Sequence, residues 1–290
     1  MEKKKWKIHI SPLLIVLFAV LALYVLSLIG IFVWGICSTL VHPYAAKQPE
    51  VYGFPGVVYL HRYPQVFTAN MTDAALPFWR ILVNSLLYAL GCAFFKTLIP
   101  CLTAYACARF NFKISKVVHT IILITMIVPI VGSLPSELKV AKFIGFHNSI
   151  WGLWVMSANM QGLYFFVMYS AFKAMPMGYT EAAKIDGANN LDVLVRIALP
   201  LIVNLFLTIL LINFVEYWNN YQVPQVYLPD HPTLGYTLFY YVNGAGQNDV
   251  TFQDAKKLVL AFIIATPVLV LFLIFQERLM GNLTMGGLKG

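Results

Sequence analysis

The sequence is short of charge, and of acid most of all. Only 11% of its 290 residues are Asp, Glu, Lys or Arg, with 12 acids against 20 bases. A soluble domain carries about 25%, so a soluble enzyme is excluded. Cysteine is scarce too. Cys37, Cys92, Cys101 and Cys107 lie in or beside apolar stretches without metal-ligand spacing. That excludes a disulfide-stapled secreted module, and single cysteines in such places act as small hydrophobes. The six histidines (His9, His42, His61, His119, His147 and His231) are scattered, so no metal site is expected. No G-x-x-x-x-G-K-[ST] phosphate loop is present; the Gly-rich stretch from Gly281 has a Lys but neither the spacing nor a following Ser or Thr. Internal repeats are missing, which removes support for an inverted-repeat carrier. Nor is there a nucleophile–base pair for a membrane-embedded enzyme. The net charge of +8 does not indicate nucleic acid, because the bases flank apolar runs instead of forming one patch.

What the chain has is apolar length. It is 60% hydrophobic with a mean hydropathy of +0.74, gathered in runs of roughly 20 residues or more. About 20 apolar residues in a helix cross a ~30 Å hydrocarbon core. The pattern predicts an all-α, polytopic membrane protein, one transmembrane domain over 1–290, with six spans near 12–37, 79–105, 117–136, 149–172, 199–223 and 257–276. The first follows the basic flank Lys3-Lys4-Lys5-Trp6-Lys7 and is too long for a signal-peptide core of about 7–15 residues, so it is expected to be a retained helix. Pro43, Pro49, Pro55 and Pro64 break up the loop after the first span; Pro224, Pro229 and Pro232 break up that after the fifth. Placing both termini on the cytoplasmic side puts 12 of the 20 basic residues inside and seven outside, with Lys96 within a span. The sequon at Asn70-Met71-Thr72 then faces outward.

Between the fourth and fifth spans, Met175 to Pro200 is the most polar inner stretch. It reads as two short helices. Pro176 stops the preceding span, Thr180 caps a helix beginning at the acid Glu181, and Gly187 ends it in the left-handed conformation. Asn190 caps the next, with Asp192 in its first turn and Arg196 four residues on. The small residues Ala182 and Ala183 suit a surface that enters a partner's groove.

The spacing Glu181-Ala182-Ala183, three residues, Gly187, nine residues, Ile197, one residue, Leu199-Pro200 resembles the EAA signature of ABC importer permeases. The string from Glu181 through Asp186 to Asn189 is similar to the carbohydrate branch of that family, the maltose type. Trp79-Arg80, Asn84-Ser85-Leu86, Ala104-Tyr105-Ala106, Arg109-Phe110, Phe112-Lys113, Trp218-Asn219 and the tail Leu283 to Gly290, with Gly286, Gly287 and Lys289, extend the resemblance along nearly the whole chain. Asn204 departs from it, since many relatives place a proline there. The resemblance implies a type I ABC importer permease fold in the bacterial cytoplasmic membrane. It implies as partners a second permease subunit, two ATPase subunits that hold the ATP and Mg, and an extracytoplasmic binding protein delivering a sugar or oligosaccharide. Glu181, Ala182, Ala183, Asp186 and Gly187 would dock the ATPase, while Ile197, Leu199 and Pro200 tie the loop to the fifth span. The chain itself would hold no cofactor. A permease for another solute, or a self-sufficient secondary carrier, are the rival functions.

Two sets of intramembrane polar residues are candidates for the solute pathway. In the fifth span Asn204, Thr208, Ile212, Glu216 and Asn219 share one helical face. In the fourth, Ser157, Gln161 and Tyr164 share a face, with Trp154 and Asn159 nearby. Amides and rings suit sugar hydroxyls and apolar sugar faces, but the same residues serve helix–helix packing equally well; both alternatives stand. Lys96 is about 9 residues from the expected inner end of its span and Glu216 about 17 from its own, a depth mismatch of ~11 Å. No direct Lys96–Glu216 pair is expected.

Overall fold

The computed structural model of the chain describes residues 12–40, 58, 60–68, 70–71, 76–110, 113–128, 132–160, 162–243 and 254–284. Two compact units emerge from its contacts: Met1–Phe67 with Asn248–Ile263, and Thr68–Gln247 with Ile264–Gly290.

In the smaller unit, α1 (Pro12–Thr39) is a continuous apolar helix with hardly a buried residue in its first five turns, as expected of a helix facing lipid. Its Gly35 lies against the Phe262 ring, where a Cβ would approach to 2.9 Å, and Phe32 meets the same ring edge-on at 5.5 Å between centroids. The short α2 (Arg62–Thr68) is held by a 2.9 Å hydrogen bond between the Tyr63 and Thr39 hydroxyls.

The larger unit is organised on α3 (Phe78–Arg109), which follows a small antiparallel pair, β1 (Asn70–Met71) and β2 (Leu76–Pro77). Around α3 pack α6 (Ile150–Ser157), α7 (Leu163–Ala174) and α10 (Val203–Asn219). The remaining elements are α4 (Lys113–Ile127), α5 (Leu134–Phe143), α8 (Met177–Ile185), α9 (Asn190–Leu201), α11 (Gln222–Tyr227), α12 (Leu234–Asn243) and α13 (Asp254–Thr284), which is in this unit from Ile264 onward. Two apolar clusters result. Cys101, Tyr105, Phe165, Phe172, Leu194 and Ile209 belong to one, and Tyr88, Cys92, Leu153 and Leu228 to the other. Cys92, Cys101 and Cys107 are free thiols buried in this packing, as read from the sequence.

Six uninterrupted spans are not what the described residues show. By length and composition Pro12–Thr39, Phe78–Arg109 and Lys257–Gln276 suffice to cross a membrane, with a fourth if α9 and α10 count as one bent span. The expected span 117–136 is α4, only 15 residues long, and the chain leaves the helix at Val128 because Pro129 disfavours helical backbone before it. The expected span 149–172 is two helices. Ser149 caps α6 by accepting from the Gly152 amide, and the break before α7 passes through Gly162 at φ +114°, a conformation suited to glycine. The expected span 199–223 begins at Val203, turned by 77° from α9.

Candidate functional site

α8 and α9 form the polar stretch singled out in the sequence, and local chemistry shapes each end. α8 begins at Met177 behind Pro176, so Thr180 is inside the helix and not its cap as the sequence suggested. The C-terminus follows the expectation: Gly187 adopts φ +85°, the Ala188 amide donates to the Ala183 carbonyl at 2.9 Å, and the Gly187 amide donates to that of Lys184 at 3.1 Å. This is a Schellman closure. α9 is capped by Asn189 rather than Asn190. The Asn189 Oδ1 accepts from the amides of Leu191 and Asp192, and the Asn189 amide donates back to the Asp192 carboxylate. Arg196 pairs with Asp192 at 3.6 Å, four residues apart as read. Over Leu194–Ala198 the helix widens to a π-turn, which accommodates Pro200; its ring has no amide to donate and crowds the carbonyl of the preceding turn.

The segment has an anchored side and an open side. Leu194, Ala198 and Ile202 are buried with Phe172 and Met175, and Leu199 packs against them. Ile197 is half-buried and Pro200 exposed. On the open side stand Glu181, Ala182, Asp186 and Gly187, with Ala183 half-buried. Among them Ile185 is 86% and Leu191 71% exposed. Met177, Tyr179 and Val195 are exposed on the same segment.

Sequence reasoning gave Arg109 no role beyond the motif that closes its span. At the last turn of α3 its guanidinium donates to the Met175 carbonyl at 3.0 Å, the Pro176 carbonyl at 3.4 Å and the Thr180 hydroxyl at 3.0 Å, and lies 2.9 Å from the Met177 sulfur. One planar fork thus holds the start of α8 to the end of α3. The single visible signal was a cation at a helix C-terminus.

The intramembrane candidates divide. Lys96 Nζ and Glu216 Oε1 are 3.0 Å apart, which overturns the expectation of no pair. The helix ends were misplaced: Lys96 is 13 residues before Arg109, where α3 ends, and Glu216 is 13 residues after Val203, where α10 begins. The two depths therefore agree, at ~20 Å each. Lys96 also lies over the Tyr217 ring, 5.2 Å from its centroid. Among the described residues the stripe on α10 is its more open face, with Asn204, Ile212, Glu216 and Asn219 exposed and Thr208 half-buried, and Glu216 reaches from it to Lys96. Thr208 donates to the Asn204 carbonyl and Asn219 to that of Val215. The packed face carries Ile209, Asn213, Phe214 and Trp218. Asn213, wholly buried and missed in the sequence, donates to the Thr97 hydroxyl at 2.9 Å, and Trp218 donates to the Ile264 carbonyl.

Trp154 is seated on Gly91, where any Cβ would run into the indole, and donates to the Leu87 carbonyl at 2.9 Å. Tyr164 is half-buried on α7, Asn159 is exposed after α6, and Ser157 is buried against α3. Asn159 and Ser157 line a polar cavity with Tyr88, Tyr217, Tyr227 and Glu137. Burial pushes the Tyr227 hydroxyl above the usual phenol range, and the Glu137 carboxylate adds to this. Gln161 and the tail residues Gly286, Gly287 and Lys289 lie outside the described residues. Among the described residues no group of His, Cys, Asp and Glu could hold a metal.

Comparison with known proteins agrees with this geometry. The family model described as "Binding-protein-dependent transport system inner membrane component" matches residues 97–282, which include the end of α3 from Thr97, both loop helices and α10. The chain is 30% identical over 212 residues to the galactooligosaccharides transport system permease protein GanQ of Bacillus subtilis (strain 168), covering 72% of this chain and 73% of that one. It is 27% identical over 273 residues to the trehalose/maltose transport system permease protein MalG of Thermococcus litoralis, covering 89% and 91%. Its fold superposes on a chain of a bacterial ABC transporter involved in the import of the acidic polysaccharide alginate, with a TM-score of 0.75 at 21% identity over 91% of this chain and 95% of that one. Apolar helices, a capped polar segment at the foot of α3 and α10, and a match over most of the chain together establish that it belongs to the binding-protein-dependent transport system inner membrane components, the permeases of ABC importers.

Proposed function

We propose that this chain is one of two permease subunits in an ATP-driven importer of a sugar or oligosaccharide. An extracytoplasmic binding protein delivers the solute, and two ATPase subunits supply the driving force with their own ATP and Mg. The open side of α8 and α9 receives one ATPase; Glu181, Ala182, Ala183 and Gly187 form the contact. Ile197, Leu199 and Pro200 carry its movement into α10, and Arg109 carries it into α3. The observation that bears most weight is this division of the segment. Its caps fix its shape, its inner side is rooted in the apolar cluster, and its outer side shows Ile185 and Leu191 to solvent. A helix pair rooted in two crossing helices and otherwise bare is a mechanical handle. The sugar-transport relatives favour carbohydrate as the solute class.

In this reading α4 and the α6–α7 pair also cross, giving six crossings with both termini and the tail on the cytoplasmic side. The short α4 needs locally thinned lipid or help from its partner. The test is affinity purification in mild detergent followed by mass spectrometry. Recovery of an ATPase, a second permease and a binding protein is the expected result. Repeated recovery of this chain alone, with uptake that persists without any ATPase, would return the secondary carrier to the front. Removing residues 281–290 is expected to weaken coupled ATP hydrolysis; unchanged hydrolysis would take the tail out of the ATPase interface.

A further inference from the structure

Positive charge without a balancing acid gathers where α4 meets α7. From Ala74 to Thr180 the sequence contains a single acid, Glu137. That residue borders the same cavity as Tyr88, ~31 Å along α3 from Arg109. α4 begins just after Arg109 and leads away from it; α7 leads back, ending beside Met175, whose carbonyl Arg109 holds. The two helices touch at His119. Its ring centroid is 5.1 Å from those of Phe166 and Tyr169 and 6.1 Å from that of Phe165. From this contact Lys116 is one turn back along α4 and Lys173 one turn on along α7, both toward Arg109. Lys173 Nζ lies over the Tyr169 ring, 5.7 Å from its centroid, so the ring that meets His119 also holds the ammonium at the seam. Both lysines are exposed, and among the described residues neither has a carboxylate within salt-bridge reach.

The adjoining surface is apolar. Ile114, Val117, Ile121 and Ile124 form an exposed stripe along α4, in a chain of an inner-membrane family. Hydrocarbon suits that stripe, and headgroups suit the lysines at its end. α4 has 15 residues, or ~22 Å of helix against a ~30 Å core, so headgroups beside it are drawn down toward Lys116. We infer that the seam of α4 and α7 binds one anionic phospholipid, its phosphate between Lys116 and Lys173 and its acyl chains along the α4 stripe. Basic positions between membrane helices recognise headgroups in this way. A zwitterionic lipid brings no net charge to balance the two ammoniums. A soluble anion would leave the stripe uncovered, and a partner helix laid on the seam would bury both cations without a counter-ion. The inference needs only a membrane-embedded chain and stands apart from the importer reading.

The test is native mass spectrometry of the purified full chain in detergent, titrated with dioleoyl phosphatidylglycerol or dioleoyl phosphatidylcholine, which share their acyl chains. Phosphatidylglycerol should bind about 30-fold more tightly, the combined effect of two basic residues near an anionic surface. Lys116→Gln/Lys173→Gln should remove that preference. Lys116→Arg/Lys173→Arg, which keeps the charge, should retain it, and so separates lost charge from lost folding. Lys139→Gln/Lys142→Gln removes two exposed charges from α5, at the Glu137 end, and should leave the preference intact. Equal binding of the two lipids by the native chain would overturn the site. So would a preference that survives Lys116→Gln/Lys173→Gln, or one lost equally in the α5 variant, which would make it an effect of net charge. Displacement of the lipid by excess inorganic phosphate would make the lysines a soluble-anion site and would overturn the lipid assignment.

Discussion

The loop helices α8 and α9 and the crossing of α3 with α10 solve opposite problems. α8 buries no residue at all, and the shape of the segment comes from its own caps and turns. The crossing is held from elsewhere in the chain: Asn213 to Thr97 over 116 residues and Lys96 to Glu216 over 120. A segment defined by local hydrogen bonds keeps its form while its outer face is bare, which is what docking needs. A crossing defined by remote polar pairs can exchange those pairs when the helices move, which is what alternating access needs. The two regions meet at Arg109, the last residue of one and the clamp on the other.

The largest effect should come from deforming the handle. Gly187 is at φ +85° with open space around its Cβ position, so only its backbone conformation resists substitution. Proline fixes φ near −65° and breaks the Schellman closure outright. For Gly187→Pro, and for Ala183→Arg at the proposed docking face, uptake and recovery of the ATPase should be lost while membrane insertion persists. Normal uptake in both would remove the docking role from α8. Arg109→Ala comes next. It deletes charge-assisted bonds to three oxygens, each worth about 1.5–3 kcal/mol where shielded from water. Uptake should fall at least tenfold while the ATPase still copurifies and hydrolyses ATP uncoupled. Arg109→Lys should rescue little, because an ammonium cannot span the same fork; full rescue would reduce Arg109 to a bare charge.

Legibility in the sequence divides along the same line. Gly187 and the Asp192–Arg196 pair are local properties, and each was read correctly. So was the burial of Cys92, Cys101 and Cys107, while Cys37 is half-buried. The Lys96–Glu216 pair was missed because its depth depends on where two helices end, and both ends lay four residues from where apolar periodicity stopped: Arg109 for 105, Val203 for 199. A helix continues through polar residues when something accepts their charge. Here Arg109 finds the Met175 and Pro176 carbonyls just before α8, so α3 runs on past its apolar run. The bend at Ile202 and the breaks at Val128 and Gly162 likewise depend on proline and glycine acting within a bundle, which a hydropathy window averages away.

A smaller effect should separate the ion pair from its surroundings. Lys96 and Glu216 are 25% and 52% exposed, so the pair is screened and should couple by about 1 kcal/mol or less in a double-mutant cycle of Lys96→Met and Glu216→Gln. The exchanged pair, Lys96→Glu with Glu216→Lys, should restore the single variants' uptake. A coupling of several kcal/mol would instead mean that the pair is shielded by the second permease, as in a buried bridge.

The smallest effect is also the most local. Asn189 accepts from two amides at the start of α9 while Asn190, one residue on, is inside the helix. Asn189→Ala should cost about 1 kcal/mol of local stability and speed amide exchange at Leu191 and Asp192. Asn190→Ala should be neutral or slightly favourable, since alanine has the better helix propensity. The two asparagines are adjacent in the sequence, shortly before Asp192, so composition cannot tell them apart; only the hydrogen bond does. Equal exchange rates in the two variants would mean that α9 is held by its buried Val193, Leu194 and Ala198 rather than by its cap, and the contrast between a locally built handle and a remotely built crossing would then stop at α8.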